Sequence, residues 1–192
     1  IDIAESPLYN LIKAFEHEDV SNIECLLLNI TERDSLEYLF EKIKPTLVFH
    51  AAAYKHVPLM EANPYEAIRV NALGTKNMAD LAIQYQVKKF VMISTDKAVN
   101  PTNIMGASKR IAEMYIQSLA SLGNHQTAFI TTRFGNVLGS NGSVIPLFVD
   151  QIKSGKNLTI TDPNMTRFMM TLFSSSENAV SITFRIESKS IS

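Results

Sequence analysis

Short apolar runs that alternate with amphipathic helical patterns are the feature that most restricts the fold of this 192-residue chain. Four apolar runs have the length of a strand and lie at residues 23–28, 46–50, 89–94 and 128–133. Helical spacing of apolar residues occupies about 6–18, 36–43, 63–85 and 103–122. Strands that are apolar on both faces and alternate with such helices are typical of a parallel sheet covered on both sides. The pattern therefore predicts a doubly wound α/β domain.

Residues at the ends of the helical patterns predict where the helices begin and end. Ser6 before Pro7 predicts the start of the first helix, with Ser6 as the cap and Pro7 at the first helical position. Gly123 is predicted to end the helix over 103–122, because glycine readily adopts the left-handed backbone that closes many helices. On that helix the apolar spacing places Ile111 and Met114 on the inner face.

The pattern changes after Arg133. A loop punctuated by glycines runs to Gly142, and a helical pattern at about 144–153 and a short apolar run of strand type at 158–160 follow it. This change predicts the start of a second lobe. The predicted domains are residues 1–140 and 141–192.

Composition and charge exclude several classes of protein. The chain carries 18 basic and 19 acidic residues, a net charge of −1, in no block of one sign. It therefore has no electrostatic footprint for nucleic acid or an anionic membrane. No apolar stretch has membrane-spanning length and no signal segment is present, so we expect a cytoplasmic chain without a membrane segment. The four histidines and single Cys25 show no metal-ligand spacing, so we expect no metal site and a small, buried, hydrophobic role for Cys25.

The positions of the glycines and of the strand ends predict where ligands bind. All seven glycines lie at or after Gly74, so the chain before it holds no glycine-rich phosphate loop. In open α/β sheets ligands bind outside the carboxyl ends of the strands. Asp2 and the segments 50–58, 94–97 and 133–142 are therefore predicted to lie along one rim of the sheet.

Two of these segments carry groups that can transfer protons. Thr95, Asp96 and Lys97 close an apolar strand with a hydroxyl, a carboxylate and an ammonium in succession. An aspartate that caps the next turn beside a solvated lysine explains the same residues equally well. Met105 and Lys109 share one face of the following helix, and by themselves they predict only a core methionine and a solvated lysine.

Small side chains at another strand end leave room for a ligand. Ala51, Ala52 and Ala53 would let a flat ligand or a pyrophosphate approach the backbone closely, although close packing of a helix on a strand needs the same residues. Lys55 and His56 could bind phosphate or transfer protons. Without a partner in the sequence, a surface lysine and a hydrogen-bonded histidine is the favoured interpretation of these two residues.

Taken together and in this order, the segments resemble a known family. They are similar to the nucleotide-sugar 4,6-dehydratases of bacterial surface-polysaccharide biosynthesis, in the extended branch of the short-chain dehydrogenase/reductase superfamily. The resemblance spans about residues 2–172 and is strongest to UDP-N-acetylglucosamine 4,6-dehydratases of the capsule and O-antigen type. The residues that carry it are 50–58, Asn63, Pro64, Asn71, 94–103, 106–109, 133–140 and 165–168.

The resemblance implies a fold, a cofactor and a reaction. It implies a partial Rossmann-like NAD(P)-binding domain that lacks its first β-α unit, followed by the start of a small C-terminal lobe for a UDP-sugar. NAD or NADP would take hydride from sugar C4, water would leave across C5 and C6, and the hydride would return to C6. The product would be a 4-keto-6-deoxy sugar for a surface polysaccharide. Full-length relatives include proteins anchored at the inner membrane with the catalytic domain in the cytoplasm.

The resemblance also implies catalytic roles. Thr95 would bond the C4 oxygen, Asp96 would protonate the departing C6 hydroxyl, and Lys97 would remove the C5 proton. Met105 stands where the family usually has a catalytic tyrosine, and a thioether has no ionisable proton. Lys109, Thr95 or a bound water would then take over, or the first step is lost; we interpret the methionine as the mark of a subgroup. Lys109 would also hold the nicotinamide ribose.

Binding roles follow from the same resemblance. Residues 50–53 would pass beneath the pyrophosphate and nicotinamide. Asp2 would accept a hydrogen bond from the adenosine ribose and favour NAD over NADP. Asn29 falls where the family usually has an aspartate that faces the adenine, and an amide can still accept there. The UDP-sugar contacts would come from Lys55, Asn136, Ser143, Val144 and, as the diphosphate clamp, Arg167.

Two other functions remain open at this point. A UDP-sugar epimerase or reductase shares the scaffold, and the run from Thr95 to Lys97 argues against it. A non-catalytic nucleotide-sugar binding module is suggested by Met105 and by the missing N-terminal glycine loop. The helices over 63–85 and 103–122 resemble those that pair across the dimer in this superfamily, so we expect a homo-oligomer.

Overall fold

The computed structural model describes residues 1–18, 22–138, 143–160, 166–170 and 182–185. The chain forms two units, Ile1–Arg133 and Phe134–Ser192. The structure divides the units after Arg133, whereas the sequence predicts a domain boundary after residue 140.

Except at residues 23–28, the strands and the main helices up to residue 134 lie in the order that the sequence pattern predicts. The helices up to residue 122 are α1 (Glu5–His17), α2 (Arg33–Ile43), α3 (Val57–Ala62), α4 (Pro64–Ala67), α5 (Thr75–Gln84) and α6 (Ile104–Leu122). A π-helical stretch, Ile68–Gly74, joins α4 to α5, and a 3-10 turn, Asp96–Ala98, precedes α6. The strands are β1 (Leu47–His50), β2 (Lys89–Thr95) and β3 (Ala128–Phe134).

The three strands form one sheet in the order β1-β2-β3, and β1 and β2 are parallel with Leu47 opposite Lys89. Side chains of β2 alternate, so that Phe90 and Met92 are buried. They pack with Leu36, Leu81 and other residues of α2, α5 and α6 in one hydrophobic core. Each such side chain contributes about 1.5–3 kcal/mol relative to an exposed position. This core fixes the ends of the strands, where the candidate site lies.

Helix α6 has the ends that the sequence predicts. Its cap is Asn103, whose side-chain oxygen accepts a hydrogen bond from the backbone N–H of Gly106 at 2.8 Å. Gly123 closes it in the left-handed region, with φ of 63°, which confirms that prediction. Its inner face is different from the prediction, because Ile111 and Met114 are 48% and 57% exposed.

Four local predictions are wrong. Helix α1 begins at Glu5 after a cap at Ala4 rather than at Ser6, and the Asp2 carboxylate accepts from the Ala4 N–H at 2.8 Å. The run at 23–28 is not a strand, since pairing is confined to one parallel bridge between Asp2 and Leu27. The run at 158–160 has no regular structure. Cys25 is half-buried rather than buried.

Strand β1 is an edge strand of the sheet and is partly exposed among the described residues. On β1, Val48 and His50 are buried, while Leu47 and Phe49 are 46% and 68% exposed. The described residues also provide no strand partner for the edge of β1 opposite β2. A cavity therefore separates this edge from the Asp2–Leu27 bridge.

The second unit contains β4 (Asn136–Val137), α7 (Val144–Lys153), β5 (Thr166–Met170) and β6 (Ile182–Arg185). Strand β4 pairs in parallel with β5, and β5 pairs antiparallel with β6. Within the described ranges of both units, no helix is long and apolar enough to cross a bilayer.

Candidate functional site

The cavity beside β1 has a volume of about 320 Å³ and lies at the carboxyl ends of the strands. This volume is at the lower end of the range for small-molecule sites. Its wall includes Asp2 and Asn29 on one side and His50 with residues 51–53 on the other. The structure therefore brings together these residues from opposite sides of the gap in the sheet.

Asp2 is held at one side of the cavity by its backbone and its carboxylate. Its N–H donates to Leu26 at 3.2 Å, and its carbonyl accepts from Leu28 at 2.9 Å. Its Oδ1 accepts from Ala4. These bonds anchor the residue although it lies near the start of the chain, and its second carboxylate oxygen accepts no hydrogen bond from the described residues.

The side chain of Asn29 is oriented by donors from Thr31. Its Oδ1 accepts from the Thr31 N–H at 3.0 Å and from the Thr31 hydroxyl at 2.9 Å. The Thr31 N–H identifies this atom as the amide oxygen, which can only accept, so the hydroxyl must give its own proton to Asn29. Arg69 donates to the same hydroxyl at 2.8 Å. The sequence predicts an acceptor here, but both lone pairs of Oδ1 are used, which leaves the Nδ2 amino group.

A buried asparagine holds the alanine segment against α6. The Asn71 side chain accepts from the Tyr54 N–H at 2.8 Å, and it donates to the Tyr54 carbonyl at 3.0 Å and to the Ser108 hydroxyl at 2.9 Å. Asn71 is fully buried. Because every polar group of its amide is paired, the path of the chain after the alanines is fixed.

His50 is a buried neutral side chain at the end of β1. Its Nε2 is 2.8 Å from the Thr75 hydroxyl, which itself donates to the Asn71 carbonyl. The hydroxyl can then only accept from His50, so the proton is on Nε2. Burial, with a smaller effect of the Lys109 charge, lowers the pKa of His50 to about 3. His50 is therefore a neutral part of the cavity wall.

The end of β2 carries a compact polar cluster. The Asp96 Oδ1 accepts from the Thr95 hydroxyl at 2.9 Å and from the Lys97 Nζ at 3.0 Å. Burial would raise the pKa of Asp96, but the hydrogen bonds from Lys97 and Thr95 outweigh it and hold that pKa below its usual range. The structure therefore brings all three predicted residues together, with the carboxyl group ionised.

Lys109 is buried on the inner face of α6. Its Nζ donates to the Ile93 carbonyl at 2.9 Å, and the residue is 5% exposed. Burial lowers the pKa of Lys109 to about 8, and the nearby Glu113 carboxylate offsets part of this shift. Lys109 is therefore a buried amine with a lowered pKa, whereas its residue type alone predicts a solvated lysine.

Glu113, which sequence reasoning missed, is fully buried one turn after Lys109. It accepts from the Arg133 guanidinium at 2.8 and 2.6 Å and from Arg110 at 3.1 Å. Burial would raise the pKa of Glu113, but these arginines hold it at about 2. The sequence offers one signal for this burial, namely that Glu113 is a charged residue four positions after Lys109 on the same face of α6.

The start of α6 lies against the polar cluster. A Cβ added to Gly106 would be 2.4 Å from the Lys97 carbonyl oxygen, which is backbone. Met105 is 3% exposed and packs with Met60 and Ala67 in a small hydrophobic cluster. Glycine therefore permits the close approach, and the methionine anchors this end of the helix.

Comparison with known proteins assigns the family. Residues 1–190 match the family described as polysaccharide biosynthesis protein. The chain belongs to this family. Pen from Bacillus thuringiensis, a solved structure, aligns with a TM-score of 0.82 at 44% identity, over 89% of this chain and 54% of that chain. The NAD complex of UDP-glucose 4-epimerase from Thermus thermophilus aligns with a TM-score of 0.67 at 22% identity, over 80% and 58%. These likenesses confirm the Rossmann-like α/β fold.

Two curated relatives are much longer than this chain. The chain is 53% identical over 170 residues to capsular polysaccharide biosynthesis protein CapD of Staphylococcus aureus, covering 88% of this chain and 28% of CapD. It is 53% identical over 129 residues to UDP-glucose 4-epimerase of Rickettsia canadensis, covering 67% of this chain and 38% of that protein. The chain thus spans less than half the length of both relatives.

The remaining predicted residues of this polysaccharide biosynthesis protein belong to other segments of the two units. Lys55 follows the alanines and is exposed. Three predicted sugar contacts lie in the second unit: Asn136 on β4, and Ser143 and Val144 at the start of α7. Arg167 is a position on β5. The segment 139–142 and Met165 lie outside the described residues.

Proposed function

We propose that the protein is a nucleotide-sugar 4,6-dehydratase of surface-polysaccharide biosynthesis, with UDP-N-acetylglucosamine as the first candidate substrate. The observation that carries the proposal is the cluster at the end of β2, where the Thr95 hydroxyl and the Lys97 ammonium both bond the Asp96 carboxylate. Elimination of water needs an acid and a base side by side, whereas epimerisation at C4 needs no such pair. Membership of the polysaccharide biosynthesis family supports the same assignment.

NAD is the proposed cofactor because the cavity residues fit its parts. The second carboxylate oxygen of Asp2, which accepts no hydrogen bond from the described residues, is suited to a ribose hydroxyl and would repel a 2′-phosphate. Residues 51–53 present only small side chains to a pyrophosphate, and the Lys109 ammonium, anchored on Ile93, is suited to the nicotinamide ribose. When bound, NAD would supply the hydride chemistry of the reaction, as the acceptor from sugar C4 and the donor to sugar C6.

The acid and the base of the elimination start in the wrong protonation states. Lys97 must be neutral to remove the C5 proton, and Asp96 must be protonated to release the C6 hydroxyl as water. Transfer of one proton along the 3.0 Å contact from Lys97 Nζ to Asp96 Oδ1 corrects both. A substrate that excludes water from the pair favours this transfer, because burial disfavours charge. The elimination then restores the ion pair, so no proton from solvent is needed.

The proton of the C4 hydroxyl needs a different acceptor from the usual tyrosine, since Met105 cannot serve. Lys109, Thr95 and a bound water are the candidates. A pKa of about 8, set chiefly by burial, brings Lys109 near the range in which an amine is an effective base at neutral pH. Thr95 lies at the polar cluster and would act through its contact with Asp96.

The second unit is proposed to hold the UDP group. Ser143 and Val144 are at the start of α7, where unpaired backbone N–H groups favour an anionic phosphate. Asn136 and Arg167 follow as uridine and diphosphate contacts by resemblance. Lys55, a residue of the first unit, is proposed as a further sugar contact by resemblance.

A UDP-sugar 4-epimerase is the second candidate, because the Rickettsia relative carries that name. The two reactions are separated by incubating the protein with UDP-N-acetylglucosamine and NAD and analysing the product by mass spectrometry and NMR. We expect loss of one water and a 4-keto signal. A C4 epimer of unchanged mass would reject the dehydratase. UDP-sugar binding without any product would favour the non-catalytic module.

We also propose self-association and a cytoplasmic location. Leu73 on the π-helical stretch and Ile111 and Met114 on α6 are 48–57% exposed. These apolar residues lie on the two helical runs that the resemblance assigns to the dimer. Their exposure supports the proposal that a second copy covers them.

A further inference from the structure

We infer that Asn29 recognises the purine of the dinucleotide as a hydrogen-bond donor, so that the site accepts hypoxanthine at least as well as adenine. This inference rests on the proposed NAD site. The question is which side-chain atom of Asn29, the amide oxygen or the amide nitrogen, faces the base.

The orientation of the Asn29 amide follows from the backbone N–H of Thr31, which can only donate. The atom 3.0 Å from the Thr31 nitrogen must therefore be the amide oxygen. Because an amide oxygen can only accept, the Thr31 hydroxyl donates to it as well. Reversing the amide would place its amino group against the Thr31 N–H, donor to donor. Among the described residues, Nδ2 has no hydrogen-bond partner and is available to a ligand.

The position of Asn29 relative to Asp2 places it beside the base. Asp2 and Leu27 are bridged in parallel, and the Leu28 N–H donates to the Asp2 carbonyl at 2.9 Å. Asn29 is the next residue, so the two side chains lie beside this bridge and line the same cavity. A ribose held by Asp2 projects its base along this wall. The purine edge farthest from the ribose carries position 6, and we place that edge at Asn29.

Position 6 has opposite hydrogen-bonding character in the two purines. Adenine carries an amino group that donates, and hypoxanthine carries a carbonyl oxygen that accepts. Asn29 Nδ2 complements the carbonyl, while it faces the adenine amino group donor to donor. An aspartate at this position would keep both bonds from Thr31 through one oxygen and present the other as an acceptor. A change of one atom should therefore reverse the preference.

The test compares NAD with nicotinamide hypoxanthine dinucleotide, using ligand-observed saturation-transfer NMR to measure both dissociation constants. This method works at weak affinity and needs no turnover. We expect the unmodified chain to bind the hypoxanthine dinucleotide at least as tightly as NAD. Asn29→Asp should raise the ratio of the hypoxanthine constant to the NAD constant by roughly tenfold or more, the effect of one mispaired polar group.

The matched control is Asn10→Asp, which adds the same charge on an exposed position of α1 outside the cavity wall. It should leave the ratio unchanged, and thermal melting checks that both variants fold. A tenfold preference of the unmodified chain for NAD, or an unchanged ratio in Asn29→Asp, would overturn the inference alone. Binding of neither dinucleotide would overturn the proposed cofactor site together with the inference.

Discussion

Replacing Gly106 with alanine should separate catalysis from stability. The new Cβ would be 2.4 Å from the Lys97 carbonyl oxygen and 3.2 Å from its carbon. This is roughly 1 Å short of ordinary van der Waals separation. The obstacle is backbone, so either the start of α6 or the turn Asp96–Ala98 must move. One end of that contact carries Lys109 and the other carries Asp96 and Lys97.

The size of each effect follows from this overlap. Overpacking costs about 1–3 kcal/mol, and alanine returns up to about 1 kcal/mol in helix propensity. The net loss of unfolding free energy should then be roughly 0–2 kcal/mol. A displacement of about 1 Å among reacting groups lowers turnover on the order of 100-fold. Gly106→Ala should therefore lose far more activity than stability.

Gly123→Ala is the matched control, because it changes the same residue type at the other end of α6. Its φ of 63° makes alanine strained, and no atom lies within 4 Å of the new Cβ. We expect a loss of roughly 1–2 kcal/mol from the left-handed backbone and unchanged turnover.

The assays are urea unfolding and formation of the 4-keto product, and backbone amide shifts at 95–98 report the displacement independently of activity. Full turnover in Gly106→Ala, or an equal loss of turnover in Gly123→Ala, would refute this account of the contact.

Three further predictions concern stability, cofactor binding and assembly. The arginines depress the pKa of Glu113 from 4.5 to about 2, so its contribution to stability is complete above pH 4.5 and is lost as the pH falls toward 2. Glu113→Gln should lose roughly 3 kcal/mol or more in urea unfolding at pH 7 and weaken this acid dependence; an unchanged midpoint would contradict the buried pairing. Because the sequence before Gly74 holds no glycine-rich phosphate loop, the isolated chain should bind NAD weakly in calorimetry, and tight binding would show that the loop is dispensable. Sedimentation equilibrium should show self-association that Ile111→Glu with Met114→Glu abolishes, whereas a strict monomer at all concentrations would exclude the proposed helix-pair interface.

A helix could be predicted from the sequence where its apolar spacing and the residues at its two ends lie in the same stretch of chain. Helix α6 has its cap at Asn103 and its left-handed glycine within its own pattern. The apolar run at 23–28 looks equally clear, but a strand also needs a neighbour, and only Asp2 pairs with it. The start of α1 was misplaced because the Asp2 carboxylate bonds the Ala4 N–H, which Ser6 alone does not suggest.

The polar residues of the site also divide into those that could be predicted from neighbours in the sequence and those that could not. Thr95, Asp96 and Lys97 are adjacent in sequence, so their grouping could be predicted from the residues alone. Glu113 could not, because its burial depends on Arg133, which lies 20 residues further along the chain. The donor character of Asn29 could not be predicted either, since it depends on how the backbone turns to bring the Thr31 N–H and hydroxyl to Oδ1.

The Asn71 side chain has a consequence for motion. It bonds both backbone groups of Tyr54 and the hydroxyl of Ser108, so the cavity wall and the helix that carries Lys109 are coupled through one amide. We therefore expect these two parts to move together. The Tyr54 N–H is protected by a side chain rather than by a strand. Its hydrogen-exchange rate therefore measures how often the wall and the helix separate.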